Sequence, residues 1–354
     1  MKSTPRIVLG AMSGSSLDGL DLCAVAFDGP ADHPRWEILA GATLPYPSNW
    51  VAKLQGSASL TGEGLLSLHR SFGQFMATQI QTFLQANNLQ PDLLSIHGHT
   101  VFHRPDEGWS FQLGQPEALA RVLSIPVVSD FRNKDMAWGG QGAPLVPRGD
   151  VALFPQFSGW INLGGICNAT IASAQGIVAS DLGPFNQVLN YLSQKLGRPY
   201  DAGGALTAQG SLRETALAHM LEWPFFKQGM PKSLSNQQVA EWWFPLVDSL
   251  EPKDALRTFA EAMARVVAQE LAALPTNAQV LLSGGGAYHT FWVNRLREVS
   301  SVEILLPEPR IIEWKEALIF AYLGWLRHQG LPNALPAATG AEKSTSGGTI
   351  IWPD

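Results

Sequence analysis

Cysteine and charge are both scarce in this 354-residue chain. Two cysteines, Cys23 and Cys167, are too few for a disulfide framework or a zinc site, and both sit in apolar, strand-like runs where a small buried thiol fits. Only 15% of the residues are charged, against ~25% in ordinary soluble domains, so much of the surface has to be polar but uncharged. The formal net charge of −6 and the lack of a basic run argue against nucleic acid as the main partner. No segment approaches the ~18–20 consecutive apolar residues of a membrane span, and the N-terminus enters a strand without the apolar core of a signal peptide. The expectation is a cytoplasmic protein with neither membrane nor nucleic acid as partner. Two nucleotide-binding signatures are missing as well. GxxxxGK(S/T) occurs nowhere, which closes the P-loop route, and no GxGxxG opens the first βα unit, which weakens a Rossmann dehydrogenase reading.

Glycine, proline and tryptophan are plentiful, at 34, 24 and 12 residues. The tryptophans belong mostly to a core, with an aromatic platform for a sugar as the other use. The length allows two cores, because single cores stop growing near ~250–300 residues. Arg6 to Leu9 runs into Gly10-Ala11-Met12-Ser13-Gly14-Ser15-Ser16-Leu17-Asp18-Gly19 and then a second apolar stretch, Asp21 to Phe27. Strand, glycine and hydroxyl turn, strand is either an ordinary hairpin or a cradle of backbone N–H groups and hydroxyls for phosphate. The pattern returns at residues 159–172, where Asn162 and Asn168 flank Gly164 and Gly165. Two such hairpins suggest paired, related domains that grip one ligand.

Apolar residues at steps of three and four predict a helix over 65–85, and Glu251-Pro252 opens another along Leu256, Phe259, Met263, Val266, Val267 and Leu271. Short strands are expected at 93–96, 126–129, 176–180 and 279–282, and a last long helix at about 314–329. His97 to Pro105 then falls in a loop just past a strand end. The breaker cluster Trp138 to Pro144 suggests a boundary, giving a first domain of 1–135 plus about 335–354 and a second of 136–334. Alternating strands and helices twice over imply an α/β fold with covered sheets.

Several side chains are candidates for chemistry. Asp181 follows the 176–180 strand and precedes Pro184, taken as the first helical residue, so it is either a helix-capping acid or a catalytic carboxylate at the strand end. Without a P-loop lysine, phosphate must be held by backbone donors, hydroxyls and a magnesium ion bound largely through water, with Asp18 a plausible nearby carboxylate. His97, His99 and His103 lack a further ligand nearby and are expected to line a polar loop, with no metal site. Arg132 is either a solvated charge or a carboxylate clamp, and Glu316 either turns to water or aims at a ligand. Gly284, Gly285 and Gly286 let a base or ribose approach closely, or simply turn the chain from strand to helix.

These pieces, in this order, resemble the anhydro-N-acetylmuramic acid kinases of the actin/hexokinase/Hsp70-type ATPase superfamily. The family's GTMSGTSxDG appears as GAMSGSSLDG, its HGQTVxHxP as His97 to Pro105, its DFR as Asp130 to Arg132 and its GGQGAPLVP as Gly139 to Pro147. The NLGGxxN hairpin, Asp181 to Asn186, Tyr200-Asp201, Pro231-Lys232-Ser233, the GGGA turn, Glu316-Ala317 and Thr339 to Ala341 follow in family order. Departures fall at Ala11, Ser15, His99, Gln115 and Gly203. The resemblance implies an α/β fold of two actin-like (ribonuclease H-like) ATPase domains with a ligand cleft between them. It implies a homodimer that uses ATP and Mg²⁺ to open the anhydro ring of 1,6-anhydro-N-acetylmuramic acid and phosphorylate its 6-oxygen. Asp181 maps to the base. Gly14, Ser15, Ser16, Leu17, Asp18, Gly19 and Asp21 would hold ATP, with Asn162, Gly164, Gly165, Asn168 and Gly284 to Gly286. Thr100, Arg132, Gly140 and Glu316 would face the sugar, Arg132 on its lactyl carboxylate. A kinase of a different amino sugar and a non-catalytic actin-like ATP-binding protein are the alternatives.

Overall fold

The computed structural model describes residues 6–14, 17–173 and 176–353. The chain forms two compact units, residues 1–155 with 314–354, and residues 156–313. This division differs from the sequence boundaries, since 136–155 and 314–334 fall in the first unit. Long-range contacts decide it. Asp135 binds Thr339, the Trp138 carbonyl accepts the Glu342 N–H, and Asp150 pairs with Lys315, so the breaker cluster is stitched to the C-terminal segment.

In the first unit, β1 (Ile7–Ser13), β2 (Gly19–Asp28) and β3 (Arg35–Pro45) form an antiparallel meander. β4 (Leu93–Arg104) lies parallel to β1 on its other side, and β6 (Val127–Ser129) lies parallel to β4. β5 (Trp109–Leu113) pairs antiparallel with the distal half of β4, and β12 (Thr349–Ile351) with β6. Helix Gly62–Ala86 starts at an N-cap Thr61 that accepts the Gly64 N–H, and buries Phe72, Met76 and Ile80 against Leu9, Leu22, Leu94 and Ile96. On the opposite face, helix Pro309–His328 comes so near β1 that a Cβ at Gly10 would collide with the Ala317 carbonyl. Ser95 donates to the Phe320 carbonyl there at 2.5 Å.

The second unit repeats the plan. β7 (Gly159–Leu163), β8 (Ile166–Ser173) and β9 (Gly176–Pro184) form a meander, and β10 (Gln279–Ser283) and β11 (Glu303–Leu305) extend it in parallel from β7. Counting strands from each unit's first, both sheets have the order 3-2-1-4-5, with β12 and β5 as additions in the first. Helix Pro252–Leu271 begins as the Glu251-Pro252 pair predicts, with Glu251 accepting the Lys253 and Asp254 N–H groups, and buries Phe259, Met263 and Val267.

Candidate active site

In the first unit the β1–β2 turn carries Gly14, Leu17, Asp18 and Gly19, while Ser15 and Ser16 lie outside the described residues. Leu17 adopts φ 57°, in the left-handed region, and its N–H reaches the Gly14 carbonyl at 3.4 Å. The turn is braced at its base, where Tyr46 donates its N–H to the Asp18 carbonyl and its hydroxyl to Ser13 Oγ. Asp21 stands opposite Thr43, whose hydroxyl donates to Asp21 Oδ1 at 2.6 Å.

β4 does not stop at residue 96. It runs on to Arg104 because β5 folds back on it, so the three histidines expected in a loop stand on a strand. His97 is buried with Nδ1 2.8 Å from the Gly98 carbonyl, and Nε2 accepts from Arg132. Arg132 also donates through Nη1 to the Gly142 carbonyl at 2.8 Å. The guanidinium is thus held in the protein and is no solvated charge. Burial lowers its pKa to about 10, against the pull of Glu316. Beside it on β4, His99 Nδ1, Thr100 Oγ1 and His103 Nδ1 are buried without a hydrogen-bond partner among the described residues.

Glu316 is partly buried on helix Pro309–His328, and burial pushes its carboxyl above the usual range. Lys315 and Arg132 pull it down, and Asp150 and Asp18 push it up, so the first hairpin and the Arg132 region share one electrostatic neighbourhood. Lys315 itself is buried in an ion pair, Nζ 2.8 Å from Asp150 Oδ1, with side chains 3% and 2% exposed. Gly140 is buried against Asp135, whose carboxylate a Cβ would strike. That close approach accounts for the glycine, whose N–H donates to the Asp135 carbonyl at 3.1 Å. Asp135 Oδ2 in turn accepts the Gly142 N–H at 2.9 Å, fixing the carbonyl that Arg132 uses.

In the second unit, register places Asn162 opposite Asn168 and Asn168 opposite Asp181. Cross-strand partners share a sheet face, so the three form a polar row across β7, β8 and β9. Asp181 is therefore inside β9 and not at a helix cap. Pro184 ends that strand, and the following helix is Asn186–Lys195. Burial raises the Asp181 carboxyl above its usual range, opposed by the Leu234 N–H and the Ser233 hydroxyl. Gly164 and Gly165 turn the β7–β8 hairpin, and their carbonyls accept the Asn186 and Phe185 N–H groups. Gly284, at φ 79°, lies so close to Asn162 that a Cβ would stand 2.5 Å from its Oδ1, which brings the triple-glycine turn to the row. Gly286 is likewise packed on Leu163 and Phe185, while Gly285 is open.

The partners His97, Ser233, Leu234, Lys315 and Asp150 escape a reading by single motifs. His97 and Ser233 carried a signal only as parts of segments shared with the family, His97 to Pro105 and Pro231-Lys232-Ser233.

Two sheets of one topology, each with a glycine turn between its first two strands, make this a duplicated ribonuclease H-like fold of the actin and hexokinase type. The family model for anhydro-N-acetylmuramic acid kinase matches residues 6–353. An anhydro-N-acetylmuramic acid kinase of Shewanella pealeana is 33% identical, over 98% of both chains, and one of Pseudomonas syringae pv. syringae is 35% identical, over 94% of this chain and 96% of that one. Component A of the Acidaminococcus fermentans (R)-2-hydroxyglutaryl-CoA dehydratase superposes with a TM-score of 0.46 at 14% identity, covering 91% of this chain and 99% of that one. The chain belongs to the anhydro-N-acetylmuramic acid kinase family, and it is an enzyme of the sugar kinase class that uses ATP.

Proposed function

We propose that the protein converts 1,6-anhydro-N-acetylmuramic acid, ATP and water into N-acetylmuramic acid 6-phosphate and ADP, a step of cell-wall recycling. Family membership over nearly the whole chain supports the substrate. The observation that carries the chemistry is Asp181, a partly buried carboxylate in a polar row with Asn162 and Asn168. Its raised pKa makes it a stronger base than an exposed aspartate. In the proposed reaction a water attacks the anomeric carbon as the bond from that carbon to the 6-oxygen breaks. Asp181 takes one proton of the water, and the other stays on the new anomeric hydroxyl. The freed 6-oxygen accepts the γ-phosphoryl group and ADP leaves. The acetal leaves no hydroxyl at that position until it opens, so hydrolysis and transfer are coupled.

Arg132 offers a planar fork for the lactyl carboxylate, and Thr100, Gly140 and Glu316 contact the sugar in the same reading. The first hairpin, Gly14 to Asp21, and the Asn162, Gly164, Gly165, Asn168 and Gly284 to Gly286 set hold the nucleotide. Among the described residues no group of three or more His, Cys, Asp or Glu side chains is placed to hold a metal. In the same reading a magnesium ion would be held mainly by phosphate and water with Asp18 nearby, where it would spread the charge of the transferring phosphoryl group. No helix among the described residues is long and apolar enough to cross a membrane, and the reading places the enzyme in the cytoplasm as a homodimer.

Incubation with the anhydro sugar, ATP and Mg²⁺ is expected to yield equal amounts of ADP and sugar 6-phosphate. No product above a no-enzyme control overturns the proposal, and a panel of sugars with and without the lactyl group tests the substrate.

A further inference from the structure

β9 is the outermost strand of the second sheet, so its free edge needs backbone partners from elsewhere. Residues 232–234 supply them. The Asp181 N–H donates to the Lys232 carbonyl at 2.9 Å, and the Lys232 N–H donates to Ser180 Oγ at 3.0 Å. The Lys232 side chain then turns inward and is only 1% exposed. Its ammonium meets Glu270 Oε1 at 2.9 Å and the Gln228 carbonyl at 3.2 Å, and lies 5.0 Å from the centre of the Phe225 ring. A lysine so close to a candidate phosphoryl-transfer site invites the role of phosphate ligand. Its charge is instead committed to Glu270 on helix Pro252–Leu271, since a buried ammonium must keep its partner.

The next two residues reach the carboxylate. The Leu234 N–H donates to Asp181 Oδ2 at 2.8 Å, and the neighbouring Ser233 hydroxyl acts on the same carboxylate to lower its pKa. The Leu234 side chain is buried in the core, so it cannot move without disturbing the packing around Trp243 and Phe259. The segment is thus pinned at both ends, by an ion pair at Lys232 and by core packing at Leu234.

We infer that residues 232–234 are a positioning clamp for the base. Lys232, through Glu270, fixes the segment along β9, and Ser233 and Leu234 set the direction of the Asp181 carboxylate. The inference rests on the reading of Asp181 as the base. Among the described residues, the Cys167 thiol of β8 faces that carboxylate, pushed up by burial and by Asp181 itself, and the Lys232–Glu270 pair stands on the flanking segment.

The test uses the full chain with Ser233→Ala, Ser233→Thr and Lys232→Met. Kinetics in both substrates are followed against pH, and the Asp181 carboxyl titration is followed by carbon NMR. Ser233→Ala is expected to lower kcat about tenfold, the worth of one hydrogen bond to a charged group, with little change in either KM. Losing that donor favours the protonated acid, so the acidic limb of the kcat/KM profile and the NMR titration both move to higher pH. Ser233→Thr keeps the hydroxyl and restores both. Lys232→Met is expected to lower kcat further. The double variant Lys232→Met with Glu270→Met leaves no buried charge unpaired, and its kcat replaces the single variant's if the latter does not fold. Wild-type kcat with unmoved titrations in Ser233→Ala overturns the clamp. So does a loss that Ser233→Thr does not restore. If Asp181→Asn also turns over normally, the reading of the base fails as well. The NMR titration judges Ser233 even in that case.

Discussion

His97 Nε2 faces the Arg132 guanidinium, accepting from Nη2 at 2.8 Å and from Nε at 3.2 Å. Both bonds require a lone pair on Nε2, so the ring proton sits on Nδ1, which donates to the Gly98 carbonyl. Burial, and after it the Arg132 charge, lowers the His97 pKa to about 3. The ring is therefore a neutral acceptor at any pH near neutrality. With Gly142 on the other side, it aims the guanidinium and leaves its remaining N–H groups for an anion.

His97→Phe keeps a ring of similar size against Phe320 and removes the acceptor. The expected outcome is a rise of about tenfold or more in KM for the anhydro sugar, with KM for ATP changed less than threefold, from the loss of hydrogen bonds to a charged group. Steady-state kinetics in each substrate check it. Equal effects on both substrates would remove His97 from the sugar side.

The same histidine gives a pH dependence of stability. An unfolded histidine titrates near ~6.5, whereas the folded ring resists protonation until about 3. Its contribution is present above pH ~6.5 and is lost progressively as the pH falls towards 3, because the unfolded chain binds the proton first. Urea midpoints of the wild type should fall between pH 7 and pH 4 more steeply than those of His97→Gln. Parallel slopes would contradict the assignment.

Asp181→Asn removes the proposed base and keeps the shape. Turnover is expected to fall by about 10²–10⁴-fold, the usual range for losing a general base, while ATP affinity measured by calorimetry stays within a few fold. Near-normal kcat would exclude Asp181 from proton transfer.

The Lys315–Asp150 pair tests how the residue before Glu316 is held. Lys315→Met or Asp150→Leu alone breaks this buried pair and should cost about 3–5 kcal/mol. The double variant should recover most of that loss. Denaturant midpoints of all four proteins close the cycle, and a double variant as unstable as the sum of the singles would show that the two charges are not coupled.

Much of the candidate site was legible because its motifs are local. Glycine turns, the Asp181 region and the triple glycine are each short runs whose composition reflects their own backbone. What they contact was hidden. The sequence left Arg132 between solvent and ligand, and only His97, 35 positions away, and Gly142 show it held inside. Asp181 stood between helix cap and catalytic acid, and pairing with Asn168 decides that it lies within a strand.

By itself the sequence determined the long helices, Gly62–Ala86 and Pro252–Leu271, the Glu251 cap and the two glycine hairpins, since apolar spacing, capping side chains and turn residues act within a few positions. Tertiary structure alone decided the length of β4, the reach of each unit along the chain, and the partners of Arg132, Asp181 and Lys315. Those depend on strand register and on side chains up to 165 residues apart. No local preference specifies such meetings, because each is stabilised only once the core of its own unit has formed around it.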